Sequence, residues 1–391
     1  MELRTGLRKM LPLPIAGLIL LGVFGGERQS RSAPNAAQQK ELLLRDFKPQ
    51  SMLHAPVHKV VRARYPVIDV HNHVSDARSA GRGHVPPENL LEMMDHCNIR
   101  RIVILTAGWG EQLQRVVDEM VKPYPGRFTV FVQLDWTNLD APDFAQQMVR
   151  QIDDAVERGA RGLKVTKELG LRVRYKSGKL LTVDDPRLDP IWAECGRLGI
   201  PVAIHVSDPE AFFLPFDATN ERYEELVDNR DWSFYGPQFP SKEAILEARD
   251  RVFARHPNTT FIALHVATWP ENLDYVSDLL DRCPNVMVEF GAREAELGRQ
   301  PRRARRFFLE YQDRVLFGTD FDPSEEMYRN FFRWLETADE YFDYWSAPEQ
   351  GRWKIYGLEL PDEVLEKVYH RNAERILSQF KGLAAKQGGG R

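Results

Sequence analysis

Eight short runs rich in Val, Ile and Phe, separated by stretches of helical periodicity, limit what this 391-residue chain can become. The runs cover 67–70, 101–105, 128–134, 162–166, 201–204, 260–264, 286–290 and 314–317. Between them, 87–98, 111–122, 141–159, 186–198, 243–255, 270–282 and 301–311 read as helices; Leu90, Leu91, Met94 and Cys97 show the spacing. Strand and helix in regular alternation place parallel strands inside and helices outside, which predicts an α/β fold of the (β/α)8 TIM-barrel type. A doubly wound sheet is the runner-up, because a strand count read from sequence can err by one or two. A short helix is expected at 39–48, a helix C-cap at Gly199, and a helical C-terminal extension with aromatic-rich breaks over 324–381.

Barrel active sites lie at the C-terminal ends of the strands. The first run leads straight into His71-Asn72-His73, and in a strand the two imidazoles share one face, roughly 6–7 Å apart. Asn72 points to the other face and must find its own hydrogen bonds. His205 ends the fifth run, His265 the sixth and Asp320 the eighth. Four of only ten histidines therefore fall at strand ends, with an aspartate at another. Imidazoles and a carboxylate make a nitrogen/oxygen site for zinc or a similar divalent ion, with room for water.

With these residues in place, the sequence resembles the amidohydrolase superfamily over 66–378, through Ile68-Asp69-Val70-His71-Asn72-His73, Ala203-Ile204-His205, Ala263-Leu264-His265 and Leu316-Phe317-Gly318-Thr319-Asp320. The closing Phe-Gly-Thr-Asp and the Asn372-Ala373-Glu374-Arg375-Ile376-Leu377 helix are most similar to the amidohydrolase-related branch. That branch holds decarboxylases similar to aminocarboxymuconate semialdehyde decarboxylase, and lactonase-like hydrolases. The resemblance implies that His71, His73, His205 and Asp320 bind one divalent metal ion, zinc first, with manganese or iron as alternatives. It implies His265 as the acid/base or oxyanion stabiliser beside it. Binuclear members carry a carbamylated lysine on strand four, where Lys164 sits; the mononuclear branch leaves Lys164 for a salt bridge or a substrate contact.

The remaining features bear on substrate and location. Trp109 and Trp136, just past the second and third runs, are candidates to line the pocket, and Arg293 is a candidate clamp for a substrate carboxylate against the alternative of a surface salt bridge. The aromatic-rich insert at 208–240 reads as a lid, or as packing against the barrel flank or a neighbouring subunit. A net charge of −4 gives no case for nucleic-acid binding, and the basic run at 299–306 reads as a solvated helix face. Cys97, Cys195 and Cys283 are too scattered for a disulfide framework or a thiolate metal site. Arg4, Arg8 and Lys9 precede an apolar stretch to residue 26, as in a secretory signal, with an uncleaved anchor or a mis-assigned start as alternatives.

The expected organisation is a signal or anchor at 1–26, a linker and lead-in at 27–65, the metal-dependent barrel at 66–381 and a disordered tail at 382–391. The expected location is periplasmic or extracellular, with membrane contact only through an uncleaved N-terminus. The expected function is hydrolysis of an ester, lactone or amide bond in a small carboxylated substrate. The alternatives are non-oxidative decarboxylation on the same site and, third, a non-catalytic ligand-binding barrel. A homo-oligomer is compatible with the aromatic C-terminal region.

Overall fold

The computed structural model describes residues 42–74 and 87–383. The signal-like segment, the linker to residue 41 and the tail from 384 lie outside the described residues. Residues 42–54 form one part and 55–383 the other. In the first, the helix expected at 39–48 is replaced, within the described residues, by a single 3-10 turn, Leu44–Asp46. Leu42, Leu43 and Phe47 are exposed there, so no buried face supports a longer helix.

The second part holds the barrel. Its strands are β1 (Val67–Asn72), β2 (Ile99–Ile104), β3 (Phe128–Val130), β4 (Val132–Gln133) and β5 (Leu163–Val165), then β6 (Val202–Ile204), β7 (Phe261–Ala263), β8 (Val286–Glu289) and β9 (Val315–Leu316). All pair in parallel and in sequence order, as β1-β2-β3 and β4 through β9. The expected third strand is divided at Phe131. Phe131 N–H donates to Ile104 of β2 at 3.0 Å and Val132 N–H to Gly162, before β5, at 2.9 Å, while the Phe131 ring fills the space a Cβ on Gly162 would need. Last strand meets first through Val70 N–H to Phe317 O, 2.9 Å, and Asp320 N–H to His71 O, 2.9 Å.

The helices are α1 (Pro87–Cys97), α2 (Gly110–Val116, run on as a π turn over Val117–Val121), α3 (Phe144–Arg158), α4 (Asp189–Leu198), α5 (Tyr223–Asp228) and α6 (Lys242–Arg255). They continue as α7 (Leu273–Arg282), α8 (Glu294–Gly298), α9 (Pro301–Glu310), α10 (Glu325–Glu336), α11 (Asp362–Glu366) and α12 (Asn372–Leu377). Gly199 ends α4 in the left-handed conformation, as its position suggests. The C-terminal extension is less helical than expected: 337–361 is irregular and joined by a bridge between Phe342 and Ile355. Several of its aromatics are packing residues: Phe331 stacks on Phe290 and Trp334 meets the same ring edge-on, all three buried, while Tyr341 is exposed. The insert at 208–240 carries α5 and two 3-10 turns, Glu210–Phe213 and Arg230–Trp232. Among the described residues no helix is long and apolar enough to cross a membrane.

Inside the barrel, Ile68, Val70, Val103, Ala203, Ile262 and Met287 form a separate apolar cluster that α12 joins through Ala373 and Ile376. β1 leaves this regular pattern after Asp69. Asp69 pairs with Ile102 and Asn72 with Ile104, so three steps on β1 stand against two on β2. The bulge lets Asp69 and Asn72, three residues apart, share one hydrogen bond at 3.2 Å. Asp69 is fully buried and also accepts from His71 N–H (3.1 Å), Thr319 N–H (3.2 Å), Thr319 Oγ1 (2.7 Å) and Tyr328 OH (2.8 Å). Burial pushes its carboxyl up to about 6 against these donors. One carboxylate thus ties β1, the loop after β9 and α10 together. Asp69→Ala removes the acceptor of four donors, Asn72 Nδ2 keeping Phe321 O, and is expected to cost roughly 3 kcal/mol or more in urea unfolding, with Asp69→Asn milder.

Candidate metal centre

The four strand-end histidines and Asp320 meet in one place. Asp320 Oδ1 lies 2.7 Å from His73 Nε2 and 3.2 Å from His71 Nε2, and Oδ2 lies 3.7 Å from His265 Nε2. His205 Nδ1 is 3.3 Å from His265 Nε2. His71, His265 and Asp320 each bring a ligand atom within 4.8 Å of the other two. That close group includes His265, which the resemblance placed beside the ion, while His73 touches it through Asp320 and His205 through His265.

The backbone that presents these groups is strained. Asp320 has φ 58°, Ser207 71° and Ala292 51°, and four consecutive residues, His265, Val266, Ala267 and Thr268, have φ between 53° and 60°. None is glycine, and each left-handed L-residue costs roughly 1–2 kcal/mol. All sit in loops at the C-terminal strand ends, where such strain commonly accompanies function. The left-handed turn replaces the start of a regular helix after β7 and swings His265 inward.

Glu289, the last residue of β8, organises the centre and was not among the residues expected from sequence. Fully buried, it accepts from His71 Nδ1 at 3.0 Å, from His265 N–H at 2.7 Å and from Gly291 N–H at 2.5 Å. Burial pushes its carboxyl up to about 7, aided by the charge of Asp320 and opposed by the two backbone donors. By accepting a hydrogen bond from His71 Nδ1–H it leaves the Nε2 lone pair facing Asp320. His265 is oriented in the same way, its Nδ1–H donating to Gly291 O at 2.7 Å. Its one signal in the sequence is an acidic residue inside the apolar run at 286–290. Asp208 was also missed: it accepts from Lys167 at 2.7 Å and lies 3.4 Å from His205 Nε2. Burial alone would raise its carboxyl, but the Lys167 charge and His205 outweigh it and hold it well below the usual range.

Burial holds His71 and His265 well below the ordinary histidine value, and lowers His205 too, so neutral imidazoles face the carboxylate. Neutral nitrogen donors, one carboxylate and a second carboxylate behind a ligand histidine fit a divalent cation.

Lys164 is buried, with Nζ 3.5 Å from His71 Nε2. It opens onto a cavity of about 490 Å3 walled by Trp109, Asp135, Trp136, Thr166 and Val173. The two indoles line this cavity together with Lys164. The insert reaches the same region, for Trp232 lies with its ring 5.0 Å from Lys167 Nζ. Arg293 is buried rather than on the surface; Nη1 donates to Ala292 O at 2.8 Å and lies 3.8 Å from Glu296. From there its charge helps depress the His265 value. The basic run is taken up by partners such as Glu221 on Arg299 and Asp274 on Arg303.

Two glycines make the close approach to Glu289 possible. A Cβ on Gly318 would lie 2.4 Å from Glu289 Oε2 and 3.0 Å from His71 Cβ, and one on Gly291 2.8 Å from the same oxygen. Gly318→Ala is expected to displace Glu289 and lower divalent-ion affinity by about 10-fold or more, read by calorimetric titration, with the far-UV spectrum unchanged.

The fold has solved counterparts. A TIM-barrel protein from Bordetella bronchiseptica is 21% identical, with a TM-score of 0.50 over 80% of this chain and 99% of that one. A 2,6-dihydroxybenzoate decarboxylase from Rhizobium is 18% identical, with a TM-score of 0.51 over 80% of this chain and 99% of its own. Among curated proteins no sequence matches. The family model described as amidohydrolase matches residues 68–379, from the strand that carries His71 to the end of the last helix. The chain belongs to the amidohydrolase family.

Proposed function

We propose that the protein is a metal-assisted hydrolase that opens a C–O or C–N bond in a small carboxylated substrate. The observation that carries this reading is the placement of Asp320, fixed in a left-handed conformation with one oxygen on His71 and His73 and the other toward His265. His71 and Asp320 hold the ion, with His73 and His205 completing the set; zinc suits these donors, and manganese or iron are alternatives. A divalent cation there supplies Lewis acidity, bringing the pKa of water to roughly 7 and polarising a carbonyl.

The protein's own groups do the rest. Asp320 accepts the proton of the attacking water. His265, whose Nδ1–H is committed to Gly291 O and whose Nε2 faces both Asp320 and His205, receives that proton on Nε2 and passes it to the leaving atom. Trp109 and Trp136 form the walls against which an apolar portion packs, and the Lys164 ammonium meets the substrate carboxylate. Arg293, buried against Ala292 O and Glu296, adds positive charge near His265.

Decarboxylation is the second reading. The cavity favours it, since two indoles beside a lysine suit a planar aromatic carboxylate. Both readings meet one experiment: the metal-loaded protein is given esters, lactones and aromatic carboxylic acids in 18O-labelled water. Hydrolysis puts one label into the acid product, and Asp320→Asn is expected to lower its rate by about 100-fold or more. Carbon dioxide release without label in the organic product replaces hydrolysis by decarboxylation. Turnover that survives Asp320→Asn undiminished overturns the assignment of the base.

A further inference from the structure

The left-handed turn at His265–Thr268 needs something to hold it, since its residues are His-Val-Ala-Thr and none of them relieves the strain. The structure offers two buried cations on one helix. Lys242 and Arg249 lie seven residues apart on α6, two turns on the same face, and both are almost wholly enclosed. Lys242 Nζ donates to Thr268 O at 2.6 Å, and Arg249 Nη1 to Ala267 O at 2.7 Å. The last two carbonyls of the turn are thus each met by a cation.

The same ammonium reaches a second loop. Lys242 Nζ also donates to Asp208 O at 2.5 Å, and the Asp208 side chain is the group beside His205. One side chain therefore joins the loop after β6, which carries His205, to the loop after β7, which carries His265. Arg249 is itself fixed from behind. Its Nε and Nη2 donate to Asp250 Oδ1 at 3.1 and 2.9 Å, and Nη2 lies 3.2 Å from Tyr275 OH, whose own proton goes to Asp250 Oδ2 at 2.7 Å. Hydrogen bonds between a buried ammonium and backbone carbonyls are a costly way to gain stability alone. They are an effective way to fix where two carbonyls sit.

We propose that Lys242 and Arg249 are positioning residues: they brace the left-handed turn at 265–268 against the loop after β6 and so hold the imidazoles of His265 and His205 at the metal centre. The proposal rests on the reading of that centre given above. It assigns to α6, on the outside of the barrel, control over the geometry of two histidines that it does not touch through its own side-chain donors.

The test uses the full chain with zinc alone as probe. It measures zinc affinity against a competing chelator and amide exchange of the peptide spanning 264–269. Lys242→Met and Arg249→Met are expected to weaken zinc binding about 10–100-fold and to speed exchange in that peptide while peptides from β1 to β3 keep their rates. Adding Ala267→Gly to Arg249→Met is expected to restore most of the affinity, because glycine holds a φ of 53° without steric cost. Because glycine there also adds general stability, Ala267→Gly alone and urea unfolding of each variant serve as controls, and affinity is expected to recover beyond what that gain in stability gives. Parent-like affinity and exchange in both Met variants, or a loss that Ala267→Gly leaves untouched, overturns the brace.

Should Arg249→Met fail to fold, Arg249→Lys with and without Ala267→Gly answers the same question. The pair is expected to match the parent, and a loss of about 10-fold or more shared by both overturns the proposal. A parent that binds no zinc, with exchange in 264–269 still responding as expected, removes the metal reading and keeps the brace. Zinc binding by the parent with no response to either cation does the reverse.

Discussion

The centre depends on one buried carboxylate, Glu289. It accepts from the ring of His71 on β1, the backbone of His265 after β7 and the backbone of Gly291 after β8, so three separate segments converge on two oxygens. In water such a group would exchange its partners freely. Enclosed at the top of the barrel, it has nowhere else to turn, and the imidazoles inherit that fixity. Hydrogen bonds at Nδ1 set the ring directions of both His71 and His265, the arrangement that would spare a metal site reorganisation.

Around that carboxylate the molecule balances strain against charge. The loops at the strand ends hold backbone conformations that no local sequence favours, and polar contacts from well-formed elements keep them there. Asp69 anchors the bulged end of β1 and the loop after β9 with five donors. Lys242 and Arg249 meet the carbonyls after β7. Each anchor is buried and charged, and each lies one step behind a residue that faces the centre. The arrangement separates the groups that do chemistry from those that set geometry.

Much of this was legible in the sequence for a simple reason. Parallel strands buried on both faces read as β-branched runs, and a polar residue that ends such a run is conspicuous, as His205 and His265 are. Glu289 escaped notice because the run Val-Met-Val-Glu-Phe carries its carboxylate inward, where only the register with Leu316 on β9 reveals its side of the sheet. The bulge after Asp69 was hidden for a similar reason, since a one-residue shift leaves no mark on composition. The left-handed turn had no glycine to announce it; its support comes from a helix earlier in the chain. The irregular stretch over 337–361 misled because aromatics such as Trp345 and Trp353 at irregular spacing serve packing rather than helix formation.

The barrel closes where Asp320 N–H reaches His71 O, and the same two residues are neighbours in the centre. His73 and Asp320, which touch at 2.7 Å, stand 247 positions apart in the chain. The ligand group therefore straddles the seam rather than belonging to any one βα unit. A nascent chain presents its first imidazoles long before their carboxylate partner exists, and no partial barrel assembles the full donor set. An ion held by this group would therefore depend on the seam being closed.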